Sequence, residues 1–202
     1  MENLVENISK SVAIELLFEE MPTRPTANAI FREARKIFGD INIINRDEND
    51  IEFSVDKFVA YNEDNTTSPV VLAMGNITDF DDKVAVSEFE RTQIWNVANS
   101  EELLSKYKYA VKIWDVNAQR QIPKERAIML VDWLNVALKL YPKCQAIWIK
   151  SAGKLQLAQS IKNLKETGIV KYLYSMVNIR FFNVPNTNEF IVDSVGLANI
   201  GL

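Results

Sequence analysis

Apolar positions along this chain switch between a period of two and a period near 3.6, and the switches mark element boundaries. Ser11 to Glu19 is rich in β-formers and reads as a first strand, halted by Met21-Pro22-Thr23-Arg24-Pro25. Ala27, Ile30, Phe31, Ala34, Ile37 and Phe38 then repeat at helical spacing. Thr26 stands where a side-chain cap belongs and Gly39 where a helix ends, which predicts a helix over 27–38. Ile41 to Ile44 is the next extended piece, and Asp47 to Asp50 is a charged turn. Ile51 to Val55 alternates as a half-buried strand does, with Lys57 to Tyr61 as a strand to pair with it. Asn62 to Pro69 is the most polar stretch and reads as an exposed loop. Val70 to Met74 follows as a short buried strand ended by Gly75. Met1 to Lys10 is polar and reads as loose.

The second half repeats the alternation. Thr92 to Val97 reads as extended; Ser100 caps a short helix with Glu101 and Glu102 in its first turn. Tyr109 to Val116 is a strand of strong β-formers. Pro123 suits a first helical position, and the helix it opens runs to Leu140. Gln145 to Lys150 predicts a strand, and Leu155 to Glu166 a helix closed by Gly168. Tyr172 to Val184 and Asn188 to Val195 form a hairpin around Pro185-Asn186-Thr187. The helix over 123–140 is apolar nearly all round, with Glu125, Asp132 and Lys139 as one narrow polar stripe. Such a helix is buried on more than one side. Either it packs on a sheet between flanking elements, or its second face meets a partner chain. The pattern predicts an α/β or α+β fold, a mixed sheet with helices packed on it, as one unit over 1–202. Two strand-helix-strand halves would meet near 79–83.

Composition narrows the chemistry. None of the 202 residues is histidine and Cys144 is the one cysteine. A Ser-His-Asp triad, a Cys-His dyad and a histidine-bearing zinc site are therefore excluded from this chain alone. What remains is carboxylate, lysine, tyrosine or oxygen-ligated metal chemistry, or none. The 48% apolar and 25% charged shares are those of a globular chain that buries a core. A net charge of −4 argues against nucleic acid and anionic membrane as partners, since both need clustered Lys and Arg. A single cysteine makes no internal disulfide, and the N-terminus lacks a basic stretch before its apolar run. A cytoplasmic location is the expectation.

Several residues carry candidate chemistry, each beside a plainer role. Asp115 lies near the end of a strand, Asp132 on the helix after it, and Lys154 after the strand at 145–150. Paired carboxylates with a lysine are the catalytic set this chain offers, and capping or ion pairing is their structural alternative. Asp79, Asp81 and Asp82 are candidates for a loose magnesium site or a solvated acidic turn; Lys83 and Val84 break the EF-hand pattern. Lys150-Ser151-Ala152-Gly153-Lys154 sits where a phosphate loop would. Trp148 replaces its first glycine and Leu155 its final hydroxyl residue, so an ordinary turn using Gly153 is the better reading. Cys144 reads as a small buried apolar group. The four tryptophans, Trp95, Trp114, Trp133 and Trp148, read as a core cluster or, less simply, a stacking platform. No cofactor is implied.

Thr92-Gln93-Ile94-Trp95, Tyr107-Lys108-Tyr109 leading to Asp115, and Lys124-Glu125-Arg126-Ala127 share a pattern with Tyr141-Pro142-Lys143-Cys144-Gln145-Ala146 and Ser151-Ala152-Gly153-Lys154-Leu155. Val192-Asp193-Ser194-Val195-Gly196-Leu197 and Ile200-Gly201-Leu202 complete it. Together these resemble an uncharacterised bacterial family, domain of unknown function 4261. The resemblance covers the last part of the chain well and the first part only through its strand-helix opening. It implies a bacterial α/β domain with no assigned reaction and no catalytic residues. Members of that family continue past Gly-Leu with a further strand, so it also implies a trimmed or shorter chain with a sheet edge to cover. The expected function is a non-catalytic protein-interaction domain, accessory or immunity-type, whose partner is another protein or a second copy. The alternatives are a carboxylate- or magnesium-dependent enzyme and a homo-oligomeric structural module.

Overall fold

The computed structural model describes residues 11–202, so the stretch Met1 to Lys10 lies outside the described residues. Its centre is an antiparallel sheet of seven strands. They are β1 (Ala13–Phe18), β2 (Ile41–Arg46), β3 (Ile51–Tyr61), β4 (Thr67–Asp79), β5 (Tyr109–Val116), β6 (Ala146–Ile149) and β7 (Lys154–Leu157). The order is β2-β3-β4-β5-β1-β6-β7 and every pairing is antiparallel, which makes the class α+β. β1 lies between β5 and β6, so the first strand is stitched into the second half of the chain. Apart from this sheet stands a two-stranded ribbon, β8 (Asn178–Asn183) with β9 (Phe190–Val195).

Two helices lie on one face. α1 (Ala27–Phe38) is capped at both ends as its sequence predicts: Thr26 Oγ1 accepts from the Ala29 N–H, and Gly39, at φ +78°, donates its N–H to the Arg35 carbonyl. α5 (Pro123–Leu140) has the predicted bounds and buries ten of its residues. Trp133 is its keystone: the ring meets Phe53 edge-on at 5.3 Å and its Nε1 donates to the Ala73 carbonyl at 3.2 Å. α1 flanks α5 on one side and α7 (Gly168–Met176) on another, through Tyr172 and Met176. The second apolar face of the long helix is therefore covered by this chain. The opposite sheet face, with Leu17, Ala110, Trp148 and Leu155, packs under the segment 80–107. That segment holds α2 (Asp82–Ala85), α3 (Glu88–Thr92) and α4 (Ser100–Lys106). A last short helix, α6 (Ala158–Asn163), follows β7.

Several local expectations are corrected. Ile51–Val55 and Lys57–Tyr61 do not pair with each other; they are one bulged strand, and both parts pair with β4. β4 does not stop at Gly75 but runs on to Asp79, absorbing the glycine at a second bulge beside the Trp114 ring. Its start at Thr67 takes the end of the supposed loop. Thr92 to Val97 is not extended, because Ser87 and Glu90 form a capping box that starts α3 just before it. The cap of α4 is Asn99, in the left-handed region, rather than Ser100. Lys154–Leu157 is strand, not helix: pairing with β6 buries Leu155 against the sheet and overrides local propensity. Gly168 opens α7 instead of closing a helix, and the hairpin starts only at Asn178.

Trp133→Ala removes the largest side chain in the α5 contact, leaves a cavity and loses the hydrogen bond to the Ala73 carbonyl. Urea unfolding is expected to show a loss of about 3–5 kcal/mol.

Candidate functional site

The three catalytic candidates are not brought together. Asp115 is fully buried at the end of β5. Its carboxylate accepts from the Val12 N–H and from Arg126 Nε at 2.8 Å. Burial pushes this carboxyl up, and the Arg126 guanidinium pulls it back down. Asp132 is partly exposed on α5 with Lys57 Nζ at 4.0 Å; burial raises its carboxyl while Lys57 and Lys171 oppose. Lys154 is only 8% exposed, and its Nζ donates to the Val177 carbonyl beneath the root of the ribbon. Burial lowers its ammonium to about 8. A cavity of about 600 Å³ lies between Phe18–Thr23 and Leu140–Gln145, and it takes in none of the three.

The acidic turn is spent on structure. Asp81 caps α2 by accepting from the Lys83 N–H, and Asp82 pairs with Arg91 at 2.8 Å. Asp79 ends β4 in solvent. No cluster of three or more metal-ligating acids, cysteines or histidines occurs among the described residues. Lys150–Ala152 is a 3-10 turn, and Gly153, at φ +56°, reverses the chain into β7. A strand thus follows where a phosphate loop needs a helix. The Cys144 thiol is buried, contacts the Ala146 carbonyl at 3.1 Å and is pushed up to about 12, so it stays protonated.

The tryptophans divide. Trp133 and Trp148 are buried on opposite faces of the sheet, while Trp95 stands 58% exposed. Its ring meets Phe181 edge-on at 6.0 Å, and Phe181 in turn contacts Phe190. This aromatic row lies on the β8–β9 ribbon, whose register sets Phe181 opposite Val192 and Ile179 opposite Ser194. Alternation puts Ile179, Phe181, Phe190 and Val192 on one face, at 50, 46, 62 and 50% exposure. No charged side chain stands on that face. The other face carries Phe182, stacked on Phe89 of α3, and Ile191. There Arg180 pairs with Asp193, Nε to Oδ1 at 2.8 Å, and lies over the Phe182 ring. The guanidinium holds the Asp193 carboxyl below its usual range.

Asn178 pins the ribbon to the body by donating from Nδ2 to the Gly153 and Gln93 carbonyls. Beside this pin a cavity of about 370 Å³ opens between Ser87, Phe89, Lys150, Gly153 and Arg180. Sequence reasoning placed the hairpin but not its exposure. The signal was present in Phe181-Phe182 and Phe190-Ile191-Val192, which load both faces of a strand with large apolar groups, as in a fully covered sheet.

No protein-family model matches this chain, and no curated protein or solved structure matches it either. No helix among the described residues is long and apolar enough to cross a membrane.

The buried lysine makes stability depend on pH in a defined direction. Its ammonium loses a proton near pH 8 when folded and near 10.5 when unfolded, so between them the unfolded chain binds more protons. Stability is expected to rise with pH from 8 to about 9, where the Cys144 thiol, pushed up to about 12 from an ordinary 9, begins to cancel the gain by keeping a proton that the unfolded chain sheds. Above 10 it turns down, because Tyr107 and Tyr141, pushed up to about 12, keep protons that the unfolded chain sheds. Denaturant midpoints across that window check both limbs, and Lys154→Met should abolish the rising one.

Proposed function

We propose that this chain is a non-catalytic protein-interaction domain, of the accessory or immunity type, which docks another polypeptide on the β8–β9 ribbon. One observation carries the reading: a contiguous aromatic surface stays in solvent on a fold that buries Phe18, Phe53, Trp133 and Trp148. Phe190, Trp95, Phe181 and their aliphatic neighbours are contiguous, held by ring contacts, and mounted on a pinned ribbon. Exposed apolar patches of several hundred Å² on otherwise well-buried proteins mark association sites. Aromatic anchors are also the residue type that concentrates binding energy. The resemblance to an uncharacterised bacterial family is compatible with such a role and supplies no reaction. No observation favours the carboxylate or magnesium enzyme, because Asp115, Asp132 and Lys154 are each engaged separately.

A double substitution tests the reading. Phe181→Ser with Phe190→Ser should reduce stoichiometric co-purification of the docked polypeptide at least tenfold in pull-downs from the native host. Val84→Lys, at an exposed apolar site on α2 outside the aromatic row, should leave it intact. Retention by the ribbon variant with an unchanged circular dichroism spectrum would sink the proposal.

A further inference from the structure

Resting on that reading, we infer that the occupant of the ribbon is a second copy of this chain, packed face to face through Trp95, Ile179, Phe181, Phe190 and Val192. Three features converge on it. The first is area. At the 150–250 Å² typical of large side chains, half-exposed groups on this face offer on the order of 500 Å² per copy. Two copies would then bury about 1,000 Å² of it, the threshold for a specific interface before any polar rim is counted.

The second is charge. The chain carries −4, so any face that met its own copy across acidic groups would be repelled. This face escapes that repulsion: Ile179, Phe181 and Asn183 on β8 lie across from Ser194, Val192 and Phe190 on β9, and none is charged. The nearby charges, Arg180 and Asp193, point to the other face and neutralise each other. A second copy therefore meets no like charge, while a partner recognised by charge would find nothing here to pair with.

The third is the ribbon's architecture. Two strands alone are marginal, and a sheet needs a second layer on its apolar face. The other face has part of one, in the stack of Phe182 on Phe89 and the Arg180–Asp193 pair over it, although Ile191 stays exposed. Among the described residues the Trp95 face has only the rim provided by Trp95 itself. An identical ribbon, laid across it by a two-fold axis, supplies the missing layer with matching residues. The middle cross-strand pair, Phe181 with Val192, then falls near the axis, and Val192 lies close to the partner's Val192.

Sedimentation equilibrium of the full chain over a micromolar series tests this. The wild type should show twice the chain mass at the upper end. Val192→Lys and Val192→Glu, substitutions at a half-exposed site, should each weaken self-association at least tenfold by setting like charges across the axis. Mixing the two variants should restore the dimer as a heterodimer. A wild type that stays monomeric, single variants that remain dimeric, or a mixture that does not pair would each overturn the inference. A monomer that still binds a foreign protein through Phe181 and Phe190 would overturn self-pairing while leaving the interaction reading standing. Loss of both would remove the two together. Circular dichroism on each variant separates lost association from lost fold.

Discussion

The buried ion pair between Asp115 and Arg126 is the constraint on which the arrangement of layers depends. It joins the end of β5 to the first turns of α5, and through the Val12 N–H it also holds the entry to β1. Taking both charges out of water costs several kcal/mol per ion, and a single Nε contact at 2.8 Å offsets only part of this. The Nη1 and Nη2 groups of Arg126 have no hydrogen-bond partner among the described residues. The pair is therefore poorly explained as a source of net stability. It is better explained as a register device. With Asp115 at the end of β5, α5 meets its counterion in one position along the sheet, and that position aligns Trp133 with Phe53 and the Ala73 carbonyl. An apolar pair would allow the helix to slide by a turn without leaving a buried charge unmatched.

From that alignment the placement of the ribbon follows. α7 packs on α5, and Tyr172 of α7 donates its hydroxyl to the Gly196 carbonyl just beyond β9. Gly196 sits at φ +110°, where a Cβ would come within 2.5 Å of the Met176 carbonyl. Only glycine lets the chain leaving β9 press against the end of α7 in this way. The ribbon's other root, Asn178, is pinned to Gly153 and Gln93. Both ends are thus fixed by buried polar contacts, while its outer residues reach solvent. A surface built like this is pre-organised for docking, because little backbone entropy is left to lose on association.

What the sequence made legible follows from how local each signal is. α1, β5 and α5 have the bounds their residues announce, since Thr26, Gly39 and Pro123 act on their own backbone neighbours. β7 and the long run of β4 were not legible. Leu155 and Gly75 take their conformations from partners dozens of residues away, and a local window sees only helix propensity in one and a stop signal in the other. The candidate site divides the same way. Asp115 and Lys154 were recognisable as acid and base by type, but only the fold shows that Arg126 and the Val177 carbonyl already occupy them. The aromatic ribbon was visible as two apolar strands. Nothing in the periodicity says that no third strand or helix covers them.

The fate of the tryptophans gives the distribution a physical logic. Trp133 and Trp148 fill opposite layers, and each is surrounded by side chains drawn from several elements. Had Trp95 been needed for a core, the segment after α3 could have turned it inward beside Ile94 and Val97, which are buried within two residues of it. Instead its Nε1 leans on the Gln93 side chain and its ring braces Phe181 from outside. Leaving such a ring half in water forgoes a burial term of roughly 1–2 kcal/mol. A chain that buries Trp133 and Trp148 fully has the means to avoid that loss. Other apolar groups also reach solvent, Met21, Val84 and Tyr174 among them, but on this ribbon face Phe181 touches both Trp95 and Phe190 with no charged residue among them, and that contiguity is what separates a docking surface from incidental exposure.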